Sequence, residues 1–386
     1  MWDLADIKNK TKEISKKLKT CKDSEEKDLL ELTLAIYLSI LINSGSIRYT
    51  KFYNFLDIIT GGKYTLISKK GKMIRNFSKI LEKKKNFMDI SYLQFLMQLA
   101  ENVANTKKVI KNDNELVHQS LELSDELLIN ISRLFYLELG DEEIFELAKK
   151  LLDDDTVLNF SDEFYSCYQN CMGLNFSDFI YNKSYCAVKR NYTIYDVKSL
   201  NHEVMHGIDF YMGYKIPTKN YYGFIEVPTY TIDYMFIDYL EKFSFNKDDI
   251  QRLRLEKDYY LQCLSDIVLF NILESLVVKN GSKILLYYSA KEVIEIITPG
   301  MVRQLLEIES GVIAYGLYKE IKENKEEGLS NLKKFMKTYI PKDKKPDFSY
   351  LGLSDEKLLE LSKEIGSYSK EHEPGNKRIV KKISYR

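Results

Sequence analysis

The sequence predicts a mainly α-helical protein, on the basis of its composition, its charge balance and the spacing of its apolar residues. The 386 residues are 45% hydrophobic and 30% charged, and only 17 are Gly and 6 are Pro. So few turn residues argue against collagen-like, low-complexity and turn-rich all-β classes. The 57 basic residues balance 57 acidic ones, which argues against nucleic-acid-binding and polybasic membrane-surface proteins.

Apolar residues recur at helical spacing through most of the first half of the chain. This pattern predicts helices at residues 3–20, 24–43, 72–85, 89–106, 114–136 and 141–152. Ser24 and Asp141, each followed by glutamates and an apolar run, are typical of helix starts. The Gly61-Gly62 pair indicates a turn. We expect residues 1–180 to form a helical N-terminal lobe.

The middle of the chain contains one convincing strand. Residues 184–190, SYCAVKR, alternate in polarity and end at the turn-like Asn191. Helical spacing then resumes and predicts helices at residues 196–213, 223–242, 247–279, 301–323, 329–338 and 354–366. We assign residues 181–386 to a second lobe, although no Pro-, Gly- or Ser-rich linker marks the boundary.

Cysteine usage and hydropathy favour a cytoplasmic protein. The five cysteines do not have the spacing of a disulfide framework. The N-terminal residues contain no apolar core of the kind that a signal peptide needs. The most apolar run, Leu34 to Ile42, is nine residues long, whereas about 20 residues span a bilayer. We expect neither a nucleic-acid nor a membrane partner, and the oligomeric state stays open.

Two of the four histidines lie in a single pentad of the form HExxH, His202-Glu203-Val204-Met205-His206. Residues four apart on a helix share one face, so both imidazoles can bind one metal ion. Glu203 is adjacent to the first histidine and is placed to accept a proton from an attacking water. The competing interpretation is an accidental match on an ordinary surface helix.

A catalytic zinc site has three protein ligands and one open position, so a third ligand is needed. Glu226 follows His206 by 20 residues, near the start of the next predicted helix and among apolar residues. A carboxylate there is costly unless it is paired, and metal binding would remove that cost. Asp209 and Asp233 are candidates for holding the ligating imidazoles by their other ring nitrogens. The alternatives are a surface glutamate beside a helix start for Glu226 and simple solvation for the two aspartates.

These segments together resemble the metallopeptidase family of oligoendopeptidase F and thimet oligopeptidase. The resemblance is carried by YDVKSLNHEVMHGID and GFIEVPTYTIDYMFIDYL, covers residues 180–245 and is fainter through 300–366. Glu226 falls on the family's ligand glutamate, and Thr229 falls on its Ser or Thr. Asp233 falls on the acid that follows, and Asp238-Tyr239 falls on the Leu-Asp-Tyr-like run. Residues before 180 share no motif with the family, and this region is shorter than in typical members.

The resemblance implies a nearly all-helical zincin-like fold, with a deep channel that admits short peptides and excludes folded proteins. It implies one zinc ion per chain, with Glu203 as the general base and with ligands His202, His206 and Glu226. It also implies an edge strand that lies along the cleft and pairs with an extended peptide. The segment SYCAVKRNYT falls on this strand, so we expect substrate to pair with Cys186, Ala187 and Val188.

The chain departs from the family in the stretch that stabilises the tetrahedral oxyanion. The family places a His and one or more Tyr shortly before a late helix, whereas ITPGMVRQLLEIESG contains neither. Arg303 is a candidate cationic substitute, and Tyr315 or Tyr318, or else Tyr287 or Tyr288, could act from shifted positions. Loss of one oxyanion donor typically slows a reaction by about 10²–10³-fold.

The sequence therefore predicts a cytoplasmic zinc-dependent oligopeptidase, with residues 181–386 as the catalytic lobe. Two alternatives stay open. The first is a zinc- and peptide-binding protein of the same fold that has lost or nearly lost catalysis, which would agree with the missing His and Tyr. The second is an all-helical interaction protein in which the HExxH pentad is accidental. Metal content separates the second alternative from the others, and a cleavage assay separates the first.

Overall fold

A computed structural model of the chain describes a mainly helical protein. The described residues are 4–22, 26–27, 30, 33–34, 37, 41, 90–106, 123–153, 157–159, 172–178, 182–213, 224–280, 290–338, 340 and 345–365. Several sequence predictions lie outside these ranges, namely the helix at 72–85, most of the helix at 24–43, the start of the helix at 114–136, the Gly61-Gly62 turn, and the candidates Tyr287 and Tyr288.

The described residues form eleven α-helices, three strands and one 3-10 helix, so the mainly helical class is confirmed. The helices are α1 (Leu4–Thr20), α2 (Ile90–Asn105), α3 (Asp125–Leu139), α4 (Glu142–Asp153), α5 (Ile194–Gly213), α6 (Glu226–Lys242), α7 (Lys247–Asn280), α8 (Ala290–Ile296), α9 (Pro299–Glu323), α10 (Lys325–Lys337) and α11 (Asp355–Glu364). The strands are β1 (Val157–Asn159), β2 (Gly173–Asp178) and β3 (Lys183–Val188), and the 3-10 helix is Ser349–Leu351.

Capping chemistry in the sequence accounts for the boundary between α3 and α4. The hydroxyl of Ser124 accepts a hydrogen bond from the Leu127 N–H at the start of α3. Helix α3 ends at Leu139, and the residue that follows it, Gly140, has a φ of 73°. This is a left-handed conformation that glycine adopts without steric cost. The predicted helix start at Asp141 is confirmed, because its carboxylate accepts a hydrogen bond from the Ile144 N–H at 3.0 Å.

The three strands form a small sheet in the order β1-β3-β2, with β1 parallel and β2 antiparallel to β3. Each of Cys186, Ala187 and Val188 pairs with β1 on one side and with β2 on the other. The predicted strand at residues 184–190 is present as β3, but the edge position that the family resemblance implied for it is wrong. Substrate cannot pair with these three residues as expected, because a central strand has neighbours on both sides. Among the described strands, β2 is an edge.

Helix α5, which carries the HExxH pentad, is surrounded by other elements. It packs against strands β2 and β3 and against helices α3, α4, α6 and α10. Val197, Leu200, Val204 and Ile208 recur at helical spacing along α5 and are fully buried. Burial of side chains of this size stabilises a fold by roughly 1.5–3 kcal/mol each. The histidines are thus attached to a helix that packing holds in place.

The predicted boundary after residue 180 lies between β2 and β3, which are neighbours in one sheet. A continuous cluster of buried apolar side chains extends from Tyr92 in α2 to Ile365, which follows α11. Helix α2 packs directly against α7, α9 and α11 in the second half of the chain. The division into two lobes stays a prediction.

Helix α7 is apolar over a longer span than the nine-residue run in the sequence. Lys247–Lys279 is long and apolar enough, by length and composition only, to cross a membrane, and 33% of its most apolar window is buried. The core helices of water-soluble proteins pass the same test, so this is weak evidence for a membrane span. The expected absence of a membrane partner stays a prediction.

Candidate metal centre

His202, His206 and Glu226 converge between α5 and α6. Oε2 of Glu226 lies 3.3 Å from Nε2 of His202 and 3.5 Å from Nε2 of His206. One potential ligand atom of each residue lies within 4.8 Å of the other two. In the part of the chain that the structure describes, this is the one group of His, Cys, Asp or Glu side chains that could hold a metal ion.

The distances within this group fit a tetrahedral metal ion. Nitrogen and oxygen ligands lie about 2.0–2.2 Å from zinc, so two ligand atoms at neighbouring corners of a tetrahedron are about 3.4 Å apart. Both distances to Glu226 agree with this spacing. Two imidazoles and one carboxylate also form a donor set typical of catalytic zinc sites. The three side chains are 15–25% exposed, so a small ligand can reach them from solvent.

The charges within the group shift the pKa values of its members. Burial alone would lower the pKa of both imidazoles, but Asp233 and Glu226 raise that of His202 to about 10, and Glu226 raises that of His206. Burial opposes the ionisation of Glu226, yet the His206 charge and hydrogen bonds from both imidazoles hold its pKa well below the usual range. Glu226 is therefore ionised at neutral pH and suited to bind a cation.

Glu203 is buried against strand β2. A Cβ built on Gly173 would lie 2.6 Å from Cγ and Oε1 of Glu203, so the glycine leaves the space that the carboxyl group fills. Asn175, two residues along the same strand, donates a hydrogen bond through Nδ2 to the backbone oxygen of Glu203 at 3.0 Å. Burial raises the pKa of Glu203 more than the neighbouring imidazoles lower it. A raised pKa is closer to neutral pH, where a general base works best.

Asp233 lies on the far side of the His202 ring from Glu226. Its Oδ1 is 3.4 Å from Nδ1 of His202, an arrangement in which a carboxylate orients a ligating imidazole. Its Oδ2 accepts a hydrogen bond from Nζ of Lys257 at 2.9 Å and lies 3.8 Å from Nζ of Lys198. The two lysines were not anticipated from the sequence. Asp209 is buried on α5, and its role toward His206 stays a prediction.

The two tyrosines predicted as oxyanion donors lie in the interface between α6 and α9. The Tyr318 hydroxyl donates to Oδ2 of Asp238 at 2.7 Å. Asp238 follows Glu226 by twelve residues on α6, or about 18 Å along the helix axis. Tyr315 is fully buried and packs against Tyr234, with ring centroids 5.6 Å apart. The Tyr318 hydroxyl is therefore engaged away from the metal centre, and the role of Tyr315 as an oxyanion donor stays a prediction.

Arg303, the third candidate, is exposed near the start of α9. Its role as an oxyanion donor stays a prediction.

Three side chains that the sequence did not single out lie beside the metal centre. The ring centroid of Tyr230 is 6.0 Å from that of His202. The Tyr230 hydroxyl donates to Oε1 of Glu307 at 3.1 Å, and the Tyr260 hydroxyl donates to the same oxygen. These residues come from α6, α7 and α9, so no local motif could reveal them. The sequence feature that could have indicated Tyr230 is its position one helical turn after Glu226, on the same helix face.

No model of a known protein family matches this chain, and no curated protein matches it. Among solved structures, it is similar to an oligoendopeptidase F candidate from Bacillus anthracis str. Ames (14% identity, 91% of this chain and 68% of the other, TM-score 0.46). It is also similar to PZ peptidase A with an inhibitor (12% identity, 93% and 71%, TM-score 0.49) and to a second oligoendopeptidase F candidate (14% identity, 90% and 64%, TM-score 0.42). TM-scores below 0.5 carry no argument about family or activity, so the candidate site depends on its own geometry.

Proposed function

We propose that this protein is a zinc-dependent peptidase that hydrolyses short unfolded peptides. The observation that carries the proposal is the convergence of His202, His206 and Glu226 at distances that suit a tetrahedral ion. When bound, the metal supplies a Lewis acid for the scissile carbonyl and makes water a nucleophile at neutral pH.

The side chains around the metal centre have separate roles in the proposed reaction. Glu203 accepts a proton from the attacking water and later returns it to the leaving amine. Gly173 leaves the space that its carboxyl group needs. Asp233 holds the His202 ring by Nδ1, which directs Nε2 toward Glu226.

The proposed peptide-binding edge is β2 rather than β3. Both sides of Cys186, Ala187 and Val188 are paired, whereas β2 has a single neighbouring strand among the described residues. Strand β2 begins at Gly173, in contact with Glu203. A peptide that adds to β2 in extended conformation therefore passes the proposed general base. Main-chain hydrogen bonds would supply affinity for short peptides of different sequence.

One observation favours a second candidate function, a zinc- and peptide-binding protein without catalysis. The stretch ITPGMVRQLLEIESG lacks His and Tyr, and the Tyr318 hydroxyl binds Asp238, away from the metal centre. A protein without oxyanion donors could still hold zinc and an extended peptide. This candidate predicts binding of both without cleavage.

Metal analysis and a cleavage assay test the proposal. We expect purified protein to hold about one zinc per chain, as one group of three ligands predicts, and to cleave members of a quenched fluorescent peptide library. Glu203→Gln should keep the metal and lose turnover. Glu146→Gln, which changes an exposed glutamate on α4, is the matched control. Zinc binding without any cleavage would support the second candidate, and failure to bind zinc after reconstitution would refute both.

A further inference from the structure

We propose that Glu307, Tyr230 and Tyr260 form a subsite that selects a positively charged group of the substrate. The group is either the α-ammonium of the peptide or a Lys or Arg side chain. This inference rests on the proposed peptidase function, because it concerns the substrate class of the same site.

Among the described residues, the carboxylate of Glu307 is held in place by two phenols and by no cation. Its Oε1 accepts hydrogen bonds from the hydroxyls of Tyr230 and Tyr260, and no basic side chain pairs with it within the described ranges. The nearby acid Asp233, by contrast, has a cationic partner, because it forms an ion pair with Lys257 at 2.9 Å. Two phenol hydrogen bonds orient the carboxylate but leave its negative charge, so a bound cation would complete its environment.

The ring of Tyr260 adds a second attraction for a cation, whereas the ring of Tyr230 already lies 3.9 Å from Nζ of Lys257. Their centroids are 6.4 Å apart in an edge-to-face arrangement beside the carboxylate. The face of an aromatic ring attracts ammonium and guanidinium groups. Tyr260 is 46% exposed, so a substrate side chain can reach this end of the subsite from solvent. A carboxylate with two aromatic neighbours matches a cation better than it matches an apolar or acidic group.

The subsite is close enough to the metal centre to contact a residue near the cleaved bond. Tyr230 belongs to both, because its ring packs beside His202 and its hydroxyl binds Glu307. The distance from the centre of the His202 ring to Oε1 of Glu307 is at most about 12 Å. This is the length of roughly three to four residues of extended peptide. The subsite would therefore recognise a residue a few positions from the scissile bond.

Lys257 is the positive charge that could oppose a second cation at this place. Its Nζ lies 3.9 Å from the centre of the Tyr230 ring and 5.0 Å from that of Tyr234. Its charge is offset by Asp233 at 2.9 Å, and the negative charge of Glu226 also acts on it. Burial raises the pKa of the Tyr230 hydroxyl, and the charges of Glu226 and Glu307 raise it further, so the hydroxyl keeps its proton and continues to donate.

The test compares wild type and Glu307→Gln on matched peptides. One pair of hexapeptides has a free or an acetylated N-terminus, and a second series has Lys or norleucine at each position near the cleaved bond. We expect wild type to prefer the charged peptide of one set by about tenfold or more in kcat/KM, as one charge-assisted contact allows. Glu307→Gln should lose this preference, with a larger fall in kcat/KM for the charged peptide than for the neutral one. A preference in the first pair identifies the charged group as the α-ammonium, and a preference in the second series identifies it as a basic side chain.

Binding in the Glu203→Gln background provides a readout that does not require turnover. Fluorescence anisotropy with the same labelled peptides should show the preference, and the additional Glu307→Gln change should remove it. Glu323→Gln, an exposed glutamate on the same helix α9, is the matched control for loss of charge. Charge-selective binding by a protein that cleaves no peptide would refute the peptidase function and leave the subsite standing.

Two results would overturn the subsite. Equal binding of charged and neutral peptides by Glu203→Gln is one of them. The other is an equal loss for both peptides in Glu307→Gln, which would mean that Glu307 only holds the tyrosines. If Glu307→Gln does not fold, Tyr260→Leu removes the exposed ring and one hydrogen bond. We expect that variant to weaken the charged peptide selectively, and an equal weakening of both would again contradict the subsite.

Discussion

The carboxyl group of Glu203 occupies the space where a side chain on Gly173 would lie. A Cβ at position 173 would be 2.6 Å from Cγ and Oε1 of Glu203 and 2.9 Å from Cδ. Contacts this short do not occur between packed atoms, so the carboxyl group or the strand would have to move. A strand glycine at a close approach is thus linked to the orientation of the proposed general base.

Gly173→Ala is expected to displace this carboxyl group and lower kcat. A positioned general base contributes about 10²–10⁴-fold to a rate, so we expect a loss of about 10²-fold. Zinc content should be unchanged, because no metal ligand is altered. Gly300→Ala is the control, since the nearest atom to its added Cβ is Oγ1 of Thr298 at 3.8 Å. An unchanged kcat in Gly173→Ala, measured with a quenched peptide, would contradict the role of this contact.

The buried ion pair of Lys257 and Asp233 leads to a prediction about metal affinity. Lys257→Met leaves Asp233 with Lys198 at 3.8 Å and weakens its hold on the His202 ring. Loss of a group that supports a ligand typically lowers metal affinity by about 10–100-fold. Chelator competition measures this effect directly. Lys149→Met, from an exposed pair at 4.0 Å, should leave the affinity unchanged. Equal affinities of the two variants would argue against the positioning role of Lys257.

Features encoded in short sequence windows were predictable. Periodic apolar residues located the helices because each helix buries one face. The HExxH pentad placed two imidazoles on one helix face, and Glu226 was found from the requirement for a third ligand and its apolar surroundings. The structure brings these three side chains together. Strand β3 was also found, because the alternating residues 184–190 give a readable signal that overlaps the observed strand Lys183–Val188.

Features that depend on tertiary packing were not predictable. The sheet position of β3 depends on β1 and β2, whose short segments carry little periodic signal and pair with residues distant in sequence. Tyr318 was on the expected helix, but the partner of its hydroxyl, Asp238, is determined by how α9 packs on α6. Tyr230, Tyr260 and Glu307 meet only because three helices converge.

Metal affinity is expected to rise with pH, because both imidazoles must lose a proton before they bind a cation. In the metal-free protein the pKa of His202 is raised to about 10 and that of His206 is also raised, so zinc binding at pH 7 should release protons. Titration calorimetry at pH 7 in buffers of different ionisation enthalpy measures the number released. A zinc affinity that is the same at pH 6 and pH 8 would contradict this expectation.

The raised pKa of His202 makes the stability of the metal-free protein sensitive to alkaline pH. The folded-state pKa of His202 is raised above its ordinary value of about 6.5. The stability that its protonation contributes is therefore fully present below about pH 6.5 and is lost as pH rises through about 10. We expect the metal-free protein to unfold at lower urea concentration at pH 10 than at pH 6. His202→Gln should lose part of this difference, and an unchanged difference would contradict the assignment to His202.

Tyr318→Phe is expected to leave catalysis intact, in contrast to what the sequence suggested. Removal of an oxyanion donor would lower the rate by about 10²–10³-fold. The Tyr318 hydroxyl instead binds Asp238, so its loss should change kcat by less than about twofold and cost about 0.5–1.5 kcal/mol of stability. Steady-state kinetics and urea unfolding measure the two effects. A large fall in kcat would show that the hydroxyl reaches the substrate.

Arg190 anchors the start of the helix that carries the HExxH pentad. Its Nη1 donates to Oδ2 of Asp196 at 2.8 Å, and both side chains are buried. The backbone N–H groups of Asn191 and Thr193 donate to the same oxygen, at 2.8 Å and 3.3 Å. Removal of one partner of a buried ion pair leaves a charge uncompensated, so Arg190→Met should destabilise the protein by about 3–5 kcal/mol.

Urea unfolding of Arg190→Met measures this cost against a matched exposed pair. Lys357→Met removes an ion pair with Glu360 at 3.5 Å in which both side chains are largely exposed, and such pairs contribute at most about 0.5 kcal/mol. The Arg190 variant should still bind zinc where it remains folded, because the metal ligands lie on later turns of α5 and on α6. Equal unfolding midpoints for the two variants would mean that the donors of Asn191 and Thr193 hold Asp196 and fix the start of α5 without Arg190.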